Sequence, residues 1–569
     1  IMNISFYGTF CIKRFNFSGK RLTINNTLNA ALKAFELGDN EQARSCLESV
    51  LVEDPSSKAA RWGLVKVHNA LGNVSGAIEQ LLKLVESQPD SVSVLEELVQ
   101  YSLAHRRFDH ALSAYADYLH RHANSAIVYY NYGYALVRAG QYSDALEAYQ
   151  RALDLGAEQP EEIELNMATV FAERLRDDAT ATIHLKRAIA HNQCYVPAYF
   201  NLGNLAERRG DLEHAHAYFN QCLNFEPEYL PAQVRLADAQ SFEDQQAPLI
   251  LKLKQLATNS RDPDLHFALG RALEQCREYS QAIKHYDIAN AQDLAAYPVY
   301  DHDAVAARFD AIKTSFDAVW YQQYEAKNDA APVFICGMFR SGSTLVEQML
   351  AAHSAFTPAG EREFFARLVA ANMPGYPYVS QNYLSSNLGS WAASYQKESE
   401  AIFGKDTRLT DKRPDNFLYL GLIKAMFPAA KIIVTRRAWR DVAWSIYTTR
   451  FSSVQHYATD LKAVKHYIDQ QAGLIAHWQS LFGADMHLVD YEELVTFPQP
   501  VISSLLDFLG EPWEEQCLRF DKLKNAVRTE SVWQVRQPLY TSSVGRSAPF
   551  AKLRPSAFEY SSSHEAPSG

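Results

Sequence analysis

Apolar positions in the first half of the chain recur at helical spacing, in blocks that repeat every 34 residues. Ala43, Ala77, Ala111 and Ala145 stand 34 apart, each inside an x-x-Ala-x-x-x-Leu/Tyr pattern. Gly38 and Gly72 keep the same spacing, as do Pro55 and Pro89. After a two-residue slip near Gln159 the pattern resumes with Ala181, Ala215, Gly210 and Pro227. One diverged unit follows, and Gly270, Ala282 and Ala289 mark a last one. Small residues let paired helices approach closely, Gly serves the turn and Pro ends the second helix, so the period predicts stacked helix pairs. About seven to eight such units span residues 25–292, enough to curl into a superhelix with a concave face.

From Ala331 onward the period is lost and short apolar runs alternate with helical patterns. Val333 to Cys336 and Ile432 to Val434 read as buried strands. The expected architecture is an N-terminal α-helical solenoid followed by an α/β domain with a central parallel sheet. Its parts are a tail over 1–24, the repeats over 25–292, a linker helix region over 293–330, the α/β domain over 331–550 and a C-terminal tail over 551–569. Residues from about Ser556 read as disordered.

Composition narrows the function classes. At 569 residues, 47% of them hydrophobic, the chain has room for more than one core. A net charge of −11 supplies no basic field for nucleic acid. Seven scattered cysteines without a CxxC pair argue for reduced thiols, against a disulfide framework or a zinc site. No apolar run is long enough for a membrane span, and the charges Lys13, Arg14, Lys20 and Arg21 follow the weakly apolar start where a secretory signal would carry them before it. A soluble, cytoplasmic protein is expected.

Candidate chemistry begins at Pro332-Val-Phe-Ile-Cys-Gly-Met-Phe-Arg340-Ser-Gly-Ser-Thr344. Strand, Gly-containing loop and helix point backbone N–H groups and a helix N-terminus at a phosphate. Gly337, Gly342 and Thr344 match the spacing of a Walker A loop, but Ser343 stands where the lysine belongs, which disfavours γ-phosphoryl transfer and a nucleotide kinase. Arg340 offers a planar fork for an anion. A second anchor lies in Lys431-Ile-Ile-Val-Thr-Arg-Arg437, where the arginines stand at the C-terminal edge of a strand, the edge at which open α/β sheets bind ligands. Asp441 opens the next helix and places Ser445 about one turn on, so Arg437 and Ser445 provide a charged fork and a neutral donor for a phosphomonoester. Arg440 and Asp441 read as a structural pair.

These residues resemble known families. Tyr132-Gly133, Gly140-Gln-Tyr142, Ala145, Tyr149 and Ala152 are similar to the tetratricopeptide (TPR) pattern, whose arrays commonly hold peptides or another protomer. The 340–344 loop resembles the 5′-phosphosulfate loop of sulfotransferases using 3′-phosphoadenosine-5′-phosphosulfate (PAPS), and Arg437 with Ser445 resembles their 3′-phosphate site. Thr410-Asp-Lys412-Arg-Pro414, Tyr491-Glu-x-Leu494 and Thr529-Glu-Ser531 to Arg546 extend the resemblance to the tyrosylprotein-sulfotransferase-like branch and its bacterial TPR-fused members. The implied domain is a P-loop-like α/β sulfotransferase over about 331–550.

The resemblance implies a sulfonate transfer to an acceptor hydroxyl that needs no metal and leaves 3′,5′-adenosine diphosphate (PAP). Glu361 falls on the family's catalytic glutamate, with Glu363 as the rival and either one readable as a helix-start acid. Arg340 and Lys412 fall on the cations at the sulfonate and bridging oxygen, and Ser531 on a donor to the same group. Arg340, Ser341, Gly342, Ser343 and Thr344 belong to the phosphosulfate loop. Arg437, Ser445 and Arg450 belong to the 3′-phosphate, Tyr491 and Gln534 to the adenine border, and Arg546 to the closing C-terminal segment. His353 reads as a helix C-cap. Glu363 stands where animal tyrosine-specific members carry an arginine, and Ser547 where bacterial relatives carry a tryptophan. The implied partner is a peptide or protein acceptor recruited by the TPR array, or a second copy. The rival reading is a TPR scaffold whose nucleotide-binding domain is inactive. The implied mechanism asks nothing of the residues before 330.

Overall fold

The computed structural model describes residues 19–323, 328, 330–405, 407–523, 525–529, 532 and 534–558. The expected tails at 1–18 and 559–569 lie outside them. Two compact units divide the chain between Gln193 and Cys194.

In the first unit the 34-residue period folds as helix pairs, such as Lys58–Ala70 with Val74–Ser87 and Ala126–Ala139 with Tyr142–Asp154. The turn inside each pair needs one left-handed residue. Gly38, Gly72 and Gly140 supply it at φ 81°, 67° and 82°, while Arg106 and Arg176 take the equivalent position at φ 57° and 56°. The helix that follows the slip near Gln159 ends in a π-helical turn over Val170–Arg174. The first helix starts at Gly19, inside the expected tail, because Ile24, Leu28 and Ala31 continue its apolar stripe into the core below.

The second unit opens with three further pairs, Val196–Arg208 with Leu212–Phe225, the diverged Leu230–Asp238 with Pro248–Ala257, and Pro263–Gln275 with Tyr279–Ala296. Close helix approach requires the small residues the period supplied: a Cβ on Gly203 would meet Phe219 at 2.4 Å, and one on Gly270 would meet Tyr286 at 2.6 Å.

Among the described residues five parallel strands follow: β1 (Val333–Gly337), β2 (Thr357–Gly360), β3 (Leu409–Lys412), β4 (Lys431–Arg436) and β5 (Met486–Asp490). Their order is β2-β3-β1-β4-β5, so the chain leaves β1 toward one side of the sheet and β4 toward the other. A crevice opens at such a switch point, outside the C-terminal ends of the central strands. Val333 to Cys336 are buried on both faces, which explains their unbroken apolar run.

Helices His302–Ser315 and Ala318–Gln323, with Phe316 between them, feed Phe309, Ile312, Phe316 and Trp320 into the core that also holds Phe334, Phe417 and Trp478. The other end of the domain is similarly tied down. Two short helices, Ala548–Leu553 and Pro555–Phe558, run into the expected tail and bury Phe550 and Phe558, Phe550 stacking on Trp444 at 3.9 Å.

Candidate active site

The loop after β1 is forced into shape by crowding. Gly337 (φ 147°) has Thr435 O where a Cβ would stand, at 2.5 Å, and Gly342 (φ 101°) has the Tyr491 ring at 2.7 Å. Arg340 between them takes a left-handed φ of 68°, a conformation that costs a non-glycine residue energy and is typical of functional loops. Gly342 ends the loop as N-cap of helix Ser343–Ala351, whose first-turn N–H groups head the crevice.

A cleft lies there, lined by Arg340, Gly342, Ser343, Thr344, Arg437, Ser445, Tyr491, Gln534 and Arg546 among others. The Arg340 guanidinium donates to Ser445 Oγ at 3.0 Å and to Gln534 Oε1 at 3.1 Å, bridging the loop, the helix after β4 and the C-terminal segment. Arg437 donates to the carbonyls of Arg340 (3.2 Å) and Ser543 (2.5 Å), with its guanidinium 4.6 Å from the Tyr491 ring centroid. Its Nε is buried and has no hydrogen-bond partner among the described residues, and burial lowers the pKa of the group. Tyr491 is mostly buried, and that burial raises its phenol. Arg436 points elsewhere, onto Asp490.

Glu361 and Lys412 form a second group. They stand at the C-terminal ends of the neighbouring strands β2 and β3, on the same edge of the sheet as the cleft, with Lys412 Nζ 2.6 Å from Glu361 Oε1. Lys412 is fully buried and Glu361 about one third exposed (32%). Glu363 is more exposed, N-caps helix Phe364–Asn372 and lies 3.8 Å from Arg413.

Some expected site residues are placed differently. Ser341 turns its hydroxyl inward, 2.6 Å from both Met338 O and Thr435 Oγ1, because the loop recrosses the β1–β4 junction there. Arg450 does not line the cleft. Its guanidinium is held by Asp264 (2.7 Å) and Asp293 (3.0 Å) of the last helix pair, so it serves packing instead of a 3′-phosphate. His353 lies one residue past the cap of its helix, with Nε2 2.8 Å from Pro512 O. Ser531 lies outside the described residues.

Sequence reasoning missed Glu347 and gave Asp441 the wrong partner. Glu347, buried on the loop's helix, accepts from Gly360 N at 2.9 Å and thereby fixes the residue before Glu361. Asp441 is buried instead of surface-paired, and accepts from Gly545 N (2.7 Å), Ser547 N (2.9 Å) and Ser547 Oγ (2.6 Å). A lone carboxylate among Leu345, Val346, Met349 and Leu350 was the available signal for Glu347. Among the described residues no group of three or more His, Cys, Asp or Glu could hold a metal ion, and no helix is long and apolar enough to cross a membrane.

Comparison with known proteins gives matches on both parts. Residues 332–515 match the family described as the sulfotransferase family, and residues 28–92, 97–160 and 196–229 match the tetratricopeptide repeat. An uncharacterized protein of Aquifex aeolicus (strain VF5) is 31% identical over 59% of this chain and 46% of its own length. The protein-tyrosine sulfotransferase of Drosophila melanogaster is 24% identical over 36% of this chain and 42% of its own. The chain thus spans about half the length of the curated relatives it matches. Among solved structures, the sulfotransferase domain from the curacin biosynthetic pathway is 18% identical over 39% of this chain and 96% of that domain, at a TM-score of 0.30. The chain therefore carries tetratricopeptide repeats followed by a sulfotransferase-family domain.

Proposed function

We propose that the chain transfers a sulfonate group from PAPS to an acceptor hydroxyl and releases PAP. Arg437 carries the reading: a guanidinium with an unpaired, buried Nε stands beside Arg340 and Ser445 at the switch-point crevice. A guanidinium lining the cleft beside a second arginine and a serine hydroxyl offers the charged fork and neutral donor that a phosphomonoester takes.

The donor supplies an electrophilic sulfur and a nucleotide leaving group. Arg437 and Ser445 bind its 3′-phosphate, while Arg340 and the helix N-terminus at Ser343 and Thr344 bind the phosphosulfate end. Tyr491 and Gln534 border the base. Lys412 and Arg340 hold the charge that develops on the departing oxygen. Glu361, partly open to solvent and oriented by Lys412, takes the proton of the acceptor hydroxyl. The acceptor is a peptide or protein brought by the repeats.

The test is to incubate the full chain with PAPS and candidate hydroxyl acceptors and to measure PAP release. PAP formation that depends on an acceptor supports the reading. Tight PAP binding with no turnover on any acceptor class would favour the scaffold alternative, and no binding at all would remove both.

A further inference from the structure

The C-terminal segment that closes one side of the cleft is held from the helical repeats as well as from the α/β domain. Asp441 fixes its backbone at Gly545 and Ser547. Between those two anchors lies Arg546, which lines the cleft. Its Nε and NH2 donate to the two oxygens of Glu274, at 2.5 and 2.9 Å, and Glu274 belongs to helix Pro263–Gln275 of the last repeat. Tyr286 of the paired helix donates its hydroxyl to Glu274 Oε2 at 2.8 Å. Glu274 is only 11% exposed. A planar fork gripped on both carboxylate oxygens has its orientation set, because the bidentate geometry fixes the plane of the guanidinium.

The repeats reach the same segment a second time. Val527 N and the Arg536 guanidinium both donate to Arg208 O, at 3.0 and 3.1 Å, at the end of helix Val196–Arg208. Gly210 (φ 75°) sits so close that a Cβ would meet Arg536 Cδ at 2.9 Å. The packing beneath is continuous as well. Tyr286 meets Trp444 edge-on at 5.7 Å, and Asn290 donates to Tyr447 O at 2.9 Å, on the helix that carries Ser445.

We propose that the last repeat is a structural part of the nucleotide site, with Glu274 as the positioning residue for Arg546. This rests on the sulfonate-donor reading above, and it replaces the expectation that nothing before residue 330 serves the mechanism. Glu274 acts through Arg546 and touches no reactant. Two physical effects oppose each other here, which makes the sign informative. Removing a negative charge beside an anion site strengthens anion binding, whereas releasing the arginine from its fixed plane weakens it.

The experiment compares PAP affinity in the full chain for wild type, Glu274→Ala, Glu274→Gln, Arg546→Ala, and Glu274→Ala combined with Arg546→Ala. Positioning predicts that Glu274→Ala weakens PAP by roughly tenfold, the scale of one charge-assisted contact. Glu274→Gln keeps one acceptor oxygen and turns a donor amide to the other arm of the fork, so it should recover only part of that loss. The Ala change should add nothing once Arg546 is gone. Unchanged or tighter binding in Glu274→Ala, or an equal loss in the Arg546→Ala background, overturns the proposal while leaving the sulfonate-donor reading intact. Failure of the wild type to bind PAP overturns both. Should Glu274→Ala not fold, Tyr286→Phe decides the matter, since it keeps the packing and removes one bond that orients Glu274. A smaller loss of PAP affinity then supports positioning, and no loss overturns it.

Discussion

Lys412 Nζ donates to Glu361 Oε1 at 2.6 Å, joining the ends of two adjacent parallel strands with one partner fully buried and the other open to solvent. The buried cation holds the carboxylate at the edge where an acceptor hydroxyl would approach. Glu361→Gln keeps this hydrogen bond but cannot take a proton. Turnover should fall roughly 10²–10⁴-fold, with PAP affinity near that of wild type. Glu363→Gln should change little, since Glu363 stands on the solvent side beside Arg413. PAP release by the two variants checks this, and the reverse ranking would move the base two residues on.

Arg437→Ala removes the guanidinium whose Nε is buried without a partner. PAP binding should weaken by about 2–3 kcal/mol, one charge-assisted contact to a phosphate. Adenosine 5′-phosphosulfate lacks the 3′-phosphate and should bind both chains alike. Titration of the two nucleotides against both chains gives the answer, and equal losses would take the 3′-phosphate away from Arg437.

Glu347 should leave a mark on stability against pH. Its carboxyl is pushed up from 4.5 to about 7, chiefly by burial, with Lys412 and the Gly360 N–H opposing and Glu361 and Asp411 adding to the rise. Between those pH values the folded chain binds more protons than the unfolded one, so this contribution is fully present below 4.5 and is lost as pH rises through 7. Glu347→Gln keeps a neutral acceptor for Gly360 N–H and has no such loss. It should be more stable than wild type at pH 8 by up to about 3 kcal/mol and little different at pH 4. Thermal unfolding at both pH values tests this, and parallel pH profiles would mean that Glu347 is not protonated in the fold.

Local chemistry was the legible part of this chain. The positions of Gly337, Arg340 and Gly342 follow from a loop that must turn under a strand, and Arg437 from the edge of a buried β-branched run. The 34-residue period gave the helix pairs because each pair repeats one packing problem. What stayed hidden depends on pairs distant in sequence. Arg450 sits a short way past Ser445, and only the fold shows that Asp264 and Asp293 claim it. Asp441 looked like a partner for Arg440, yet it holds Gly545 and Ser547. No spacing rule connects Glu274 to Arg546, because neither sits in a pattern that depends on the other.

The division of labour between the repeats can be tested by where the chain is cut. Residues 194–569 form one compact unit that contains the cleft, Glu274 and the helix bearing Phe309 and Phe316. A chain of these residues should fold and bind PAP as tightly as the full chain. A chain of residues 331–569 loses Phe309, Ile312, Phe316 and Trp320 from its core, together with the carboxylate that holds Arg546. Deleting several buried aromatics at about 3–5 kcal/mol each exceeds what a domain can spare, so this shorter chain should fail to fold or bind. Recruitment of the acceptor would then fall to the repeats of the first unit. The 194–569 chain should show a raised KM for a protein acceptor with kcat little changed, as expected when binding is lost equally from ground and transition states. An unchanged KM would assign the first unit to assembly or stability instead.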